Sequence, residues 1–285
     1  MDKQKKILTI TFCGIPNVGK STLLNNLIKC KLAICSPKPQ TTRNNIRGII
    51  TIDNTQLIFV DTPGIFKPKQ SMLEKKIVKE AWQGFCGSDL ICLIIDGQIG
   101  FNKTTQLILT KLIKNNIPII VVINKSDLID FDKKVLLAKQ IWETNCVNEV
   151  FSLSAKTGKG SNELMNYFLS QAKNGNWLYE KDEITDKDNN FLASEFVREQ
   201  LFNILQKELP YMLYCETEKY EIINGMANIS ILVIVGKENH KKIILGKNGS
   251  NIKKIIKNAS KSIENLIQMP VKLKLFVKLN KKNLI

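Results

Sequence analysis

Apolar residues recur with two alternating periods along the first 175 positions. Strand-length runs such as KILTITFC, LICLII and IPIIVVI are separated by stretches whose apolar positions fall three and four apart. Strands are expected near residues 7–13, 47–52, 56–60, 90–95, 118–123 and 149–153, with helices near 20–29, 72–84, 103–114, 133–145 and 161–171. Runs that are apolar at every position suit strands buried on both faces, so the pattern predicts an α/β fold with a doubly wound, mostly parallel sheet. The turn at Asp53-Asn54-Thr55 makes one pair antiparallel.

From 176 to 190 the sequence becomes polar and loses periodicity, which reads as a linker between a domain at 1–175 and a second at 191–285. The second opens with the amphipathic stretch FLASEFVREQLFNILQKEL, expected to stop at Pro210. Its elements are expected in the order α, β, β, α, turn, α, β, ending on the alternating strand VKLKLFVKL.

Charge sharpens this division. The net charge is +16, but residues 1–175 carry +11, residues 176–235 carry −6 and residues 236–285 carry +11. A basic end after an acidic middle suits a polyanion partner. Seven cysteines without CxxC spacing argue against a disulfide framework or zinc site, and the lone His240 reads as a surface residue. No apolar run is long enough for a membrane span, and the start MDKQKK lacks the apolar core of a secretory signal. A cytoplasmic location is expected.

The chemistry lies in the loops after the strands. Residues 14–21, GIPNVGKS, match GxxxxGK[ST] between a strand and a helix. The backbone of Gly14, Ile15, Pro16, Asn17, Val18, Gly19 and Thr22 frames a phosphate cradle, with Lys20 reaching the β- and γ-phosphates and Ser21 placed as a Mg²⁺ ligand. In Asp61-Thr62-Pro63-Gly64, the aspartate can hold Mg²⁺ through water and the Gly64 N–H can meet the γ-phosphate. Thr41 and Thr42 lie where a switch loop supplies a hydroxyl to the metal. In NKSD, Asp127 can accept from N1–H and the exocyclic amine of guanine, a pattern adenine lacks; Lys125 can lie along the base and Asn124 can join the loops. Ser154-Ala155-Lys156 completes the set, with the Ala155 N–H directed at guanine O6. Together these imply GTP with Mg²⁺, and Lys20, Thr42, Asp61, Gly64 and Asn17 are the candidates for a catalytic part.

Turnover is less plain. Ile65 follows the DxxG motif and can neither donate nor accept, so it cannot orient a water. Similarity to GTPases with asparagine at position 17 implies a K⁺ ion there, replacing an arginine finger. In the second domain, Gly246-Lys247-Asn248-Gly249 has the GxxG form that brings a nucleic-acid backbone against a helix in KH domains. Lys253, Lys257 and Lys261 follow at one-turn spacing and could meet phosphates.

The motifs GIPNVGKSTLLN, QTTR, DTPGI, NKSD, SAKTG, NNFLASEFVREQLFNILQKELPY and IILGKNGSNIKKI cover nearly the whole chain, which resembles the Era family of bacterial GTPases. The resemblance implies a P-loop GTPase domain followed by an α+β type II KH domain, slow hydrolysis of GTP to GDP, binding near the 3′ end of 16S ribosomal RNA, and a role in maturing the 30S subunit. A monomer is expected as well, and attachment to the inner face of the cell membrane is a further expectation. Two alternatives remain at this level: a GTP-dependent RNA-binding module with negligible turnover, and a membrane-surface GTPase.

Overall fold

The computed structural model describes residues 4–68, 72–206 and 209–279. Contacts divide the chain into two units, one of Met1–Ala33 with Thr42–Asp186 and one of Ile34–Thr41 with Lys187–Ile285.

The first unit runs β1 (Lys6–Cys13), α1 (Lys20–Ile28), β2 (Ile46–Ile52), β3 (Thr55–Asp61), α2 (Met72–Gln83), β4 (Leu90–Asp96), α3 (Lys103–Leu112), β5 (Ile119–Asn124), α4 (Phe131–Trp142), β6 (Glu149–Ser152), α5 (Ser161–Gln171) and β7 (Lys173–Asn174). The sheet order is β2-β3-β1-β4-β5-β6. All neighbours on this path are parallel except β2 and β3, and the short β7, not foreseen from the pattern, pairs antiparallel with β1. Every residue of β3, β4 and β5 is buried, which is why their sequences show no alternation. The chain leaves β1 toward β3 on one side and β4 on the other, so a crevice opens at the carboxyl end of β1.

Local capping moves some expected boundaries. Asp130 accepts from the Lys133 N–H at 2.8 Å, so α4 starts at Phe131, two residues before the expected start. The helix expected over 103–114 ends at Leu112 and tightens into a 3-10 turn, Ile113–Asn115.

The stretch read as a linker, 176–190, is divided by the boundary between the units at Asp186 and Lys187. Its first part is bound into the first unit by hydrogen bonds that carry no apolar period. Gln56 Oε1 accepts from the N–H groups of Leu178 and Tyr179 at 2.9 and 3.1 Å, and its Nε2 donates to the Tyr179 carbonyl at 2.9 Å. The Trp177 indole N–H is shared by the Lys6 and Asn54 carbonyls, and Arg47 pairs with Asp186 at 3.2 Å.

The second unit contains α6 (Asn189–Ile204), β8 (Leu213–Ile223), β9 (Met226–Val235), α7 (Glu238–Leu245), α8 (Ser250–Ile267) and β10 (Val271–Leu279), in the expected order. Its sheet is β10-β9-β8, with β8 antiparallel and β10 parallel to β9. Phe196 and Leu201 of α6, Ile255 and Ile263 of α8, and Ile231 and Val233 of β9 share one core. Pro210 does not stop α6: the helix ends at Ile204, where Leu205 turns extended, and Pro210 lies in a separate 3-10 turn, Leu209–Met212.

Helix α6 also departs from an amphipathic pattern, because Glu195, Arg198, Glu199 and Gln200 are buried along with its apolar residues. The second unit supplies their partners. Arg198 Nε donates to Glu195 at 2.7 Å, Gln200 accepts from Asn258 of α8 at 3.2 Å, and Glu199 accepts from the Cys35 N–H at 2.9 Å. Cys35 belongs to the Ile34–Thr41 segment, whose Ile34 enters the same core and whose Lys38 ammonium donates to the Phe202 and Leu205 carbonyls at the end of α6.

Candidate nucleotide and nucleic-acid sites

Residues 14–19 join β1 to α1 at the crevice. Helix α1 begins at Lys20 with no side-chain cap and no acidic residue in its first turn, which leaves its N–H groups and the positive end of its dipole for an anion. Asn17 takes a left-handed conformation at φ 64° and is exposed. Lys20 is buried and donates to the Gly14 and Ile15 carbonyls at 3.3 and 3.1 Å, and burial lowers its pKa.

Three expected metal ligands converge. Ser21 Oγ donates to Asp61 Oδ2 at 2.6 Å and lies 3.0 Å from Thr42 Oγ1. Burial pushes the Asp61 carboxyl up to about 6, against the opposing influence of Lys20, Ser21 and Thr42. Its other oxygen, Oδ1, is buried without a hydrogen-bond partner. A buried carboxylate oxygen left unpartnered beside two hydroxyls suits a hard divalent cation or its bound water, so the donor set fits Mg²⁺. Of the threonine pair, Thr42 joins this group, whereas Thr41 groups with the second unit and donates to the Lys38 carbonyl at 2.8 Å.

The segment after β3 lies against the loop. Thr62 donates to the Phe12 carbonyl at 2.8 Å, and the Ile65 N–H donates to the Gly14 carbonyl at 2.9 Å while the Ile65 side chain is buried in the core. A Cβ on Gly64 would lie 2.7 Å from Pro16 Cα, N and Cγ. The close approach gives Pro16 a packing role that its sequence context did not reveal.

Asn124, ending β5, donates from Nδ2 to the Val18 carbonyl at 2.7 Å and accepts on Oδ1 from the Ala155 N–H at 2.9 Å. It therefore ties the phosphate loop to the Ser154-Ala155-Lys156 loop. The Ala155 N–H, expected to face guanine O6, is directed in this structure at Asn124. Asp127 has a carboxyl held below its ordinary range by a hydrogen bond from Ser154 and by the Lys156 and Lys125 charges. Lys125 takes a left-handed conformation and pairs with Asp96 Oδ2 at 2.6 Å. Sequence reasoning missed Asp96; its position at the carboxyl end of β4, beside β5, is the signal that could have found it.

In the second unit, the GxxG residues form a 3-10 turn between α7 and α8. Gly246 and Gly249 have φ of 72° and 73°, and a Cβ on Gly246 would come within 2.9 Å of the Asn251 backbone nitrogen. Asn251 Nδ2 donates to the Ile243 carbonyl at 2.9 Å, tying the two helices together. Lys253, Lys257 and Lys261 are exposed along α8, whose Ile255, Ala259 and Ile263 face the core. Among the described residues no helix is long and apolar enough to cross a membrane.

Comparison with known proteins matches both halves. Residues 9–125 match the 50S ribosome-binding GTPase family model and residues 205–284 the KH domain model. GTPase Era of Rickettsia conorii is 45% identical over 96% of this chain and 80% of that protein, and GTPase Era of Rickettsia canadensis is 44% identical over 98% and 94%. A crystal structure of Era with MgGDPNP and nucleotides 1506–1542 of 16S ribosomal RNA superposes with a TM-score of 0.92 at 37% identity, covering 98% of this chain and 95% of that one. A point variant of Aquifex aeolicus Era bound to GDP and AlF₄⁻ gives 0.92 at 35% identity, covering 97% and 95%. Sheet order, phosphate loop, guanine-reading loops and KH unit thus occur together with full-length similarity: the chain belongs to the Era family of GTPases.

Proposed function

We propose that this chain binds GTP through residues 14–22 and the loops at Asp61, Asn124 and Ser154, hydrolyses it to GDP, and holds 16S ribosomal RNA near its 3′ end during assembly of the 30S subunit. The observation that carries the nucleotide reading is the convergence of Ser21, Thr42 and the half-satisfied Asp61 at the start of α1. Mg²⁺ held by these groups would neutralise phosphate charge. Lys20 and the N–H groups of α1 bind the β- and γ-phosphates, and the Gly64 N–H serves the γ-phosphate. Asp127 accepts from two guanine donors, with Asn124 and Ser154 fixing the loops that carry it.

Since the Ile65 side chain is committed to the core, it cannot orient the attacking water. In this reading Asn17 would hold a K⁺ ion, which would supply the missing charge. The test is kcat in K⁺ and in Na⁺, with and without 30S subunits. Faster turnover in K⁺ supports the switch, equal rates reject the cation role, and no turnover under any condition favours the alternative of an RNA-binding module that only senses GTP.

For RNA, the support is the pair of positive-φ glycines at the GxxG turn beside exposed Lys253, Lys257 and Lys261, together with the RNA carried by the solved relative. Crosslinking of bound 16S RNA to residues 246–261 tests it. A second reading, a monomer attached to the inner membrane face, is favoured by α4, where Phe131 (74% exposed), Val135 and Trp142 share one outward face with Lys139. Co-sedimentation with anionic vesicles that survives RNase treatment would support it.

A further inference from the structure

The GxxG turn lies on the helical side of the second unit, and a turn of this kind clamps about four nucleotides. The opposite side is the open face of the sheet. Strand β10 alternates strictly: Leu273 enters the core, while Lys272, Lys274, Phe276 and Lys278 are exposed. Its register with β9 sets Lys272 beside Asn228, Lys274 beside Ser230, Phe276 beside Leu232 and Lys278 beside Ile234, so the outward face has polar and apolar rows but no acidic residue on either strand. The only acidic side chains within residues 236–285 are Glu238 and Glu264, both on helices. On β8, two strands away, Lys219 and Glu221 pair with each other at 2.9 Å. Glu216, exposed beside Leu232 of β9 in the row that ends on Phe276, adds a further acid, so the charge on this face is net acidic along β8 and wholly basic along β10.

We propose that the outer face of β10 is a second RNA-binding surface, taking the strand that continues beyond the nucleotides at the GxxG turn. Successive lysines two residues apart stand about 6.8 Å apart along the strand, which lets Lys272, Lys274 and Lys278 meet the phosphates of an extended chain. Phe276, half exposed between Lys274 and Lys278, presents a ring on which a base stacks. The inference rests on the RNA-binding reading above, and the occupant follows from charge and aromatic placement together. Lysine on an edge strand also discourages strand-to-strand association, and that bland role would leave RNA binding untouched.

The test uses the full chain with two probes: 16S RNA nucleotides 1506–1542, the segment held by the solved relative, and hexanucleotides tiled across it. The variants are the triple Lys272→Gln/Lys274→Gln/Lys278→Gln and, separately, Phe276→Ala. For the long RNA, the triple variant is expected to weaken binding at least tenfold at ~0.15 M salt. Its log–log salt dependence becomes shallower by roughly 0.7 to 0.9 per lost phosphate contact, about 2 to 3 in all. Phe276→Ala weakens binding of the long RNA about tenfold with the slope unchanged, and both variants hold the best hexanucleotide as tightly as the parent. Unchanged binding of the long RNA overturns the proposal and leaves β10 with edge protection alone. Parallel loss of both probes overturns it as well, since the face would then not be separate from the GxxG site. If the parent chain binds neither probe, the RNA-binding reading itself fails.

Discussion

Asp96 and Lys125 meet at 2.6 Å across the carboxyl ends of β4 and β5, with Asp96 almost fully buried and Lys125 partly exposed. The pair fixes the lysine stem that the guanine base would lie against, from a backbone already in the left-handed region. Asp96→Asn keeps the shape of the side chain but removes the charge that anchors the ammonium. GTP affinity is expected to fall about tenfold, close to the loss of one charge-assisted hydrogen bond, with kcat at saturation unchanged. Titration of a fluorescent GTP analogue checks it.

In the proposed reading, base choice rests on Asp127. Replacing its carboxylate by an amide in Asp127→Asn substitutes a donor where guanine also donates. GTP binding is expected to fall on the order of a hundredfold, with two hydrogen bonds to a charged group lost, while xanthosine triphosphate becomes the preferred ligand. Competition between the two nucleotides reads out the swap.

The phosphate loop and the segment after β3 leave no room at Gly64. In Gly64→Ala the new Cβ would lie 2.7 Å from Pro16 Cα and N, which are backbone atoms. Overpacking of this kind costs about 1 to 3 kcal/mol, and here it displaces the N–H proposed to serve the γ-phosphate, so GTP turnover is expected to fall at least tenfold. Adding Pro16→Ala removes only the Cγ contact and should not restore it; single-turnover hydrolysis of the two variants decides.

If Asn17 holds a K⁺ ion as proposed, its substitution separates cation stimulation from binding. Asn17→Ala is expected to remove the difference in kcat between K⁺ and Na⁺ while leaving GTP affinity within about twofold, because its contribution falls on the hydrolysis step. Rates measured in matched salts test this, and a variant still stimulated by K⁺ would rule Asn17 out as the ligand.

Stability of the second unit depends on the buried pair Glu195 and Arg198, 8% and 3% exposed. Arg198→Met leaves a carboxylate buried without its partner and should cost about 3 to 5 kcal/mol. The double variant Glu195→Leu/Arg198→Met removes both charges and should recover most of that loss. Urea unfolding of the parent, single and double variants gives the comparison.

The phosphate loop, DTPG, NKSD, SAK and GxxG could all be read from sequence because each is a short contiguous stretch whose chemistry is local. The apolar runs of β4 and β5 were as plain, since burial on both faces leaves its mark on every residue. What escaped were single polar residues acting at long range. Asp96 reaches Lys125, Gln56 gathers the backbone at Leu178 and Tyr179, and Glu199 takes the Cys35 N–H from 164 positions earlier. None carries a periodicity or a motif, and a buried glutamate on a helix looks from sequence like an exposed one. The end of α6 was misplaced for a related reason: Pro210 was the visible breaker, whereas Leu205 had already left the helix.

The Ile34–Thr41 segment has a consequence for how the chain can be divided. A fragment cut after residue 175, at the boundary that composition suggests, would retain every nucleotide motif but strip this segment of Glu199, the carbonyls of Phe202 and Leu205, and the core that receives Ile34. Thr42, one residue beyond it, would then hang from eight residues without their packing. Hydrolysis measured on such a fragment would report a loosened Thr42, and a piece that keeps this segment with its packing has to include the second unit as well.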